Sequence, residues 1–154
     1  MSALVAFIHH LAAFTLVAAL AIEKLQLRDA ARDGFSAAIA RKLARTDMIF
    51  GIAATVVLVA GLARVFHFEK GAGYYFHSIP FILKATLFVV VGIASIIPTV
   101  EFIRWGKALK AGQTAAVAPE RIAKLQKIVQ FELFGVIGIL LCAALMAKGI
   151  GVFG

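Results

Sequence analysis

The chain has 154 residues, of which 62% are hydrophobic and 16% charged, with a formal net charge of +8. A water-soluble domain usually carries about 25% charged residues, so this composition excludes an ordinary soluble fold. The single cysteine, Cys142, excludes an internal disulfide and a cysteine-built metal cluster, and within its apolar stretch it reads as a small core filler.

Four apolar stretches follow one another, at about 3–22, 48–63, 79–100 and 128–147. Each has roughly the 20 residues needed to cross a hydrocarbon layer about 30 Å thick. Lipid leaves unpaired backbone groups unsatisfied, so each span is expected to be α-helical. The connectors, roughly 25 residues at most, are too short for a separate soluble core. The expectation is an all-α, four-transmembrane-helix bundle forming a single domain over 1–154.

In span one, Ala19-Leu20-Ala21 has the look of a cleavage site, but no Lys or Arg precedes it and the basic residues follow. That order reads as an anchor with its N-terminus outside. In the first connector, Phe35, Ile39 and Leu43 recur at helical spacing opposite Arg41, Lys42 and Arg45. This predicts a cytoplasmic amphipathic helix that lies on the membrane surface or extends span two. Span two ends at Arg64, and His67 comes just beyond. The aromatics of segment 64–81 fit an interfacial belt, with Gly71 and Gly73 supplying a turn and Pro80 opening span three. Pro98 is a predicted kink near the far end of span three. Residues 111–114 form the expected flexible break, and Pro119-Glu120 opens the last helix, where proline fits the first turn and glutamate complements the dipole. Gly51, Gly61, Gly135 and Gly138 are expected to permit close helix contact.

The positive charges are distributed unevenly. Lys24, Arg28, Arg32, Arg41, Lys42 and Arg45 lie in the first connector, and Arg104, Lys107, Lys110, Arg121, Lys124 and Lys127 in the third. Only Arg64 and Lys70 mark the second, and Lys148 the C-terminal end. The positive-inside pattern therefore predicts an N-out/C-out multi-pass membrane protein with the first and third connectors cytoplasmic. The basic residues are expected to meet anionic lipid headgroups, not nucleic acid.

Ionisable groups within spans cost at least about 2.5–3.5 kcal/mol each at mid-bilayer, which makes them candidates for function. In the expected topology His9, His10, Lys84, Arg64, His67 and His77 all fall toward the outer side. His9 shares a helix face with Ala12, Leu16, Ala19 and Glu23, while His10 shares one with Phe7, Phe14 and Val17. The small-residue face is the better bundle-facing surface, so His9 is expected to point inward. Either imidazole can ligate haem iron or a metal, shuttle protons, or hydrogen-bond a neighbouring helix. The inner half carries Glu23, Asp47, Glu101, Arg104 and Glu132. Arg28 and Arg45 are the expected ion-pair partners of Glu23 and Asp47, whereas Glu132 is a candidate for a proton relay.

Several motifs together resemble a known family. The run His9-His10-Leu11-Ala12-Ala13-Phe14, Ala44-Arg45-Thr46-Asp47 before Gly51, the span-two exit Gly61-Leu62-Ala63-Arg64-Val65-Phe66, and Tyr74-Tyr75-Phe76-His77 leading to Lys84 resemble the bacterial membrane family designated domain of unknown function 2214 (DUF2214). The likeness covers nearly the whole chain. A more distant similarity, over the first three spans, is to HemJ-type protoporphyrinogen oxidases and CopD-type membrane domains, which also place a histidine early in span one and a lysine early in span three. That resemblance implies bound haem b with His9 or His10 as axial ligand, and a role for Lys84. The segment Phe14-Thr15-Leu16-Val17-Ala18-Ala19 lacks the tryptophan and glycine of the HemJ type, so haem binding carries over further than the specific oxidase activity.

These readings combine into one expectation. A b-type haem toward the outer side would be ligated by His9 or His10, with His67 or His77 as a sixth ligand and Lys84 and Arg64 balancing propionate or substrate charge. The protein would then be a haem-dependent membrane oxidoreductase or electron carrier for a lipid-soluble donor, a quinol or a porphyrinogen. The alternatives are a proton- or metal-translocating protein and a noncatalytic subunit of a membrane complex. Small-residue faces suit either self-association or packing within one bundle.

Overall fold

The structure, a computed structural model, describes residues 2–68, 72–113 and 116–153. Its long helices are α1 (Ser2–Asp33), α2 (Ala37–Ala63), α4 (Ile79–Lys110) and α5 (Pro119–Ala147). A π-helical turn, Arg64–Phe68, and the short α3 (Ala72–Phe76) join α2 to α4. All four long helices are long and apolar enough to cross a membrane. At 1.5 Å per residue their 27 to 32 residues reach about 40–48 Å, so each overshoots a 30 Å hydrocarbon layer.

The overshoot consumes the first connector. Helix α1 runs on to Asp33, Gly34 takes a left-handed φ of 93°, and Ser36 caps α2 by accepting a hydrogen bond from the Ile39 amide at 3.3 Å. Of the two placements expected for the amphipathic segment, the structure has the extension of span two. Leu43 is fully buried and Ile39 half-buried, while Arg41, Lys42 and Arg45 are exposed. Phe35, in the turn, packs edge-on against Trp105 at 4.8 Å between ring centroids.

At the third connector α4 stops at Lys110. Gly112 has a φ of 73° and the Gln113 amide donates back to the Ala108 carbonyl at 3.0 Å, while Thr114 of the predicted break lies outside the described residues. Pro119 opens α5 as expected. Pro98 lies buried inside α4 without ending it. Gly71, expected in the turn before α3, lies outside the described residues, and Gly73 falls within α3. Beyond α5 the chain turns back, and Gly151 accepts from the Ile79 amide at 2.9 Å while the Phe153 amide donates to the His77 carbonyl at 2.9 Å. The C-terminal tail thus ties down the start of α4.

Helix α1 packs against α2 and α5, and α4 packs against α5 and α2, giving an up-and-down four-helix ring. The start of α1 and the end of α5 lie at one end, here the terminal end, and the turn 34–36 with residues 111–113 and 116–118 at the other, the basic end. Leu20, Leu27, Leu43, Phe102, Leu125 and Val129 fill the interior from mid-bundle to the basic end. Phe7, Phe14 and Ile93, each more than 60% exposed, belong to the outer face that lipid would solvate. Gly135 lets α4 and α5 approach closely, because a Cβ there would collide with Val91 Cγ2. Gly51 differs from the expectation: nothing lies within 4 Å of the place its Cβ would take, so it makes no close helix contact.

Candidate functional site

Near the terminal end, residues from three parts of the chain converge. His9 on α1 is only 8% exposed, and its Nδ1 lies 3.1 Å from the Val57 carbonyl on α2. Gly61, one turn beyond Val57, makes this approach possible, since a Cβ at Gly61 would meet His9 Cε1 at 3.2 Å. The carbonyl has a second lone pair to offer beyond its helical bond. With Nδ1–H donating there, Nε2 is the ring nitrogen left with a lone pair. Lys84 on α4 and Arg64 in the π-helical turn are both partly buried and within electrostatic reach of His9.

The other histidines face elsewhere. His10 is exposed, and its ring stands 78° from that of His9 at 5.8 Å between centroids. Successive side chains on a helix point about 100° apart, so one of the pair turns outward as the other turns in. His67 is exposed on the π-helical turn. His77 is exposed, places Nδ1 at 2.7 Å from the Gly73 carbonyl, and packs edge-on to Phe153. Among the described residues, no three His, Cys, Asp or Glu side chains gather as a metal-ligand group.

A second polar layer lies in the basic half, and all four long helices contribute to it. Glu23 comes from α1, Asp47 from α2, Thr99 from α4 and Glu132 from α5. Glu23 is 1% exposed and Glu132 is wholly buried. Thr99 donates its hydroxyl to Asp47 Oδ1 at 2.6 Å. Glu23 Oε1 and both carboxyl oxygens of Glu132 are buried without a hydrogen-bond partner. The ion pairs expected for Glu23 and Asp47 do not account for this layer, because Arg28 and Arg45 lie exposed on the outer face while both acids turn inward. Glu23 sits on the same inward face as His9, Ala12, Leu16 and Ala19, so the sequence did contain the signal for its burial. Thr99 carried no such signal.

Nearer the basic end the polar groups are satisfied. Lys24 donates to Gln130, Gln26 to Thr46 at 3.1 Å, and Gln126 to the Leu27 carbonyl at 2.9 Å. Buried Glu101 is held by Arg121, with Arg104 at 3.8 Å. Between the two polar layers lies a cleft of about 200 Å³. It has contributions from all four long helices, and its largely apolar lining includes Leu16, Phe50, Val57, Phe88 and Val136, with Thr55 and Ser95 the hydroxyls. This is smaller than the roughly 300–1,000 Å³ usual for ligand pockets.

No curated protein and no solved structure matches the chain. A family model described as predicted membrane protein, DUF2214, matches residues 1–151. With four membrane-length helices and a match over almost its entire length, the chain belongs to the DUF2214 family of predicted membrane proteins.

Proposed function

We infer that this integral membrane protein holds one b-type haem through His9 near its terminal end. It would pass electrons from a lipid-soluble donor, a quinol or porphyrinogen-like molecule, to an acceptor. Its setting would be the bacterial inner membrane, N-out/C-out, with the basic end in the cytoplasm, as the charge asymmetry suggests.

The observation that carries this reading is the hydrogen bond between His9 Nδ1 and the Val57 carbonyl. Histidines that ligate metals characteristically donate their other ring N–H to a carbonyl or carboxylate, which fixes tautomer and ring orientation. His9 has that arrangement, with Nε2 remaining as the ligating atom. Lys84 and Arg64 supply positive charge within electrostatic reach of it, of the sign that the propionates of a haem or an anionic substrate would call for. The resemblance to HemJ-type and CopD-type proteins implies His9 or His10 as the ligand and a role for Lys84, and it is compatible with His9.

The residues fit a single axial ligand best. His10 faces outward, so a second ligand would come from His67, from His77, whose Nδ1 contact with the Gly73 carbonyl likewise leaves Nε2, or from outside the chain. Haem, when bound, supplies the one-electron chemistry. The protein sets its potential through the axial ligand, nearby charge and burial. The support lies in the histidine and its neighbouring cations, not in the volume of the interhelical cleft.

The absorption spectrum of the purified full-length protein tests the proposal. A Soret band with redox-sensitive visible bands is the expected result. Colourless protein with full helicity, even after expression with added haem precursor, would overturn it.

A further inference from the structure

We propose that Glu23, Asp47 and Glu132, with the Thr99 hydroxyl, form a proton-binding site that exchanges protons with water at the basic end of the bundle. This inference is independent of the haem. It starts from the oxygens that have no partner: one of Glu23 and both of Glu132, on side chains that are 1% exposed and wholly buried. Buried polar groups in native proteins are nearly always hydrogen-bonded, and an exception calls for an explanation. Three carboxyls from three helices lie close enough to act on one another electrostatically. Like charges at close quarters in a low-dielectric interior repel strongly, and a proton shared within the group removes the repulsion. A protonated carboxyl also becomes a donor, so it can satisfy a neighbouring oxygen that now has nothing to accept from.

The charged groups around the site leave this role open. On α1, Lys24 is turned to Gln130 of α5; on α2, Arg45 is exposed; on α4, Glu101 is occupied by Arg121 and Arg104; on α5, Lys127 is exposed. A metal cation is the weaker occupant, because no three acids among the described residues gather as ligands and Thr99 is used as a donor to Asp47.

The surroundings also give the site a direction. Toward the basic end it adjoins the polar contacts Lys24–Gln130, Gln26–Thr46 and Gln126–Leu27. Toward the terminal end it meets Leu16, Leu20, Phe50 and Val136. Polar groups that could pass protons thus lie toward the basic end, set among the buried Leu27, Leu43, Leu125 and Val129, whereas the terminal side is the largely apolar cleft. Uptake transfers a proton from hydronium at the basic end to a carboxylate oxygen, leaving water; release reverses the transfer, and no electron moves.

Infrared difference spectroscopy on the full-length protein in lipid nanodiscs, stepped in pH in H₂O and D₂O, tests the site. The expected result is a carboxylic C=O stretch that grows as pH falls, shifts in D₂O, and is lost or diminished in Glu132→Gln. Glu23→Gln and Asp47→Asn provide the same readout should the first variant fail to fold. Thr99→Val should shift the band without abolishing it. A band that is absent or constant across the titration, that survives all three carboxyl substitutions, or that follows sodium concentration instead of pH would overturn the proposal. His9→Ala should leave the band in place, so failure of the haem reading and failure of this one remain distinguishable.

Discussion

His9 and His10 are chemically identical neighbours with opposite environments. The difference arises from a 100° rotation per residue: one ring turns onto the small-residue face that packs against α2, the other outward. That much was legible in the sequence, since Ala12, Leu16 and Ala19 mark the bundle-facing side. What remained hidden was the partner, because nothing in a sequence indicates that Gly61 bares the carbonyl of Val57 to a side chain of another helix. Glu132 presents the converse case. Its position inside span four marked it as unusual, but its grouping with Glu23 and Asp47 depends on the order of helices around the ring. An unpartnered buried polar group typically costs about 1–3 kcal/mol, so Glu132→Met should raise stability by a similar amount at high pH, where the carboxyls share no proton, and by less at low pH. Unfolding in mixed detergent micelles would measure this, and a loss of stability would mean that the carboxyl makes a favourable interaction.

The helices were easier to read than their ends. Hydropathy located the four spans, but hydropathy falls where a helix leaves lipid, and the backbone hydrogen bonding continues. Hence α1 and α2 run to within three residues of each other at a turn made by Gly34 and the Ser36 cap, where a connector of about 25 residues was expected from hydropathy alone. The glycines show the same limit. Gly135 and Gly51 look alike in sequence, yet one faces Val91 and the other faces open space. Gly135→Val should therefore destabilise the α4–α5 contact by about 1–3 kcal/mol, the usual cost of overpacking, whereas Gly51→Val should have little effect on packing. Combining Gly135→Val with Val91→Ala should recover much of the loss; equal destabilisation with or without Val91→Ala would show that the clash lies elsewhere. The same unfolding assay reads both.

At the scale of the whole molecule, the bundle separates two polar layers by an apolar middle. The terminal layer has a histidine with two cations near it, and the basic layer has three carboxyls in a ring of helices. The orientation proposed from the charge asymmetry puts the basic end in the cytoplasm. In a Cys142→Ala background, Ile150→Cys should react with an impermeant thiol reagent added to spheroplasts, whose inner membrane is exposed to the medium. Gln113→Cys should react only after permeabilisation. The reverse pattern would invert the orientation and place the carboxyl layer near the opposite surface. The functional centre was less legible than the fold, because ligand roles depend on which ring nitrogen is engaged and which side chains share a depth, and both are properties of packed helices. The most direct test of that centre compares haem content per chain in His9→Ala and His10→Ala, each verified as folded by circular dichroism. Loss of haem from the His9 variant with retention in the His10 variant is the predicted result; retention in both, or loss from the His10 variant alone, would contradict it.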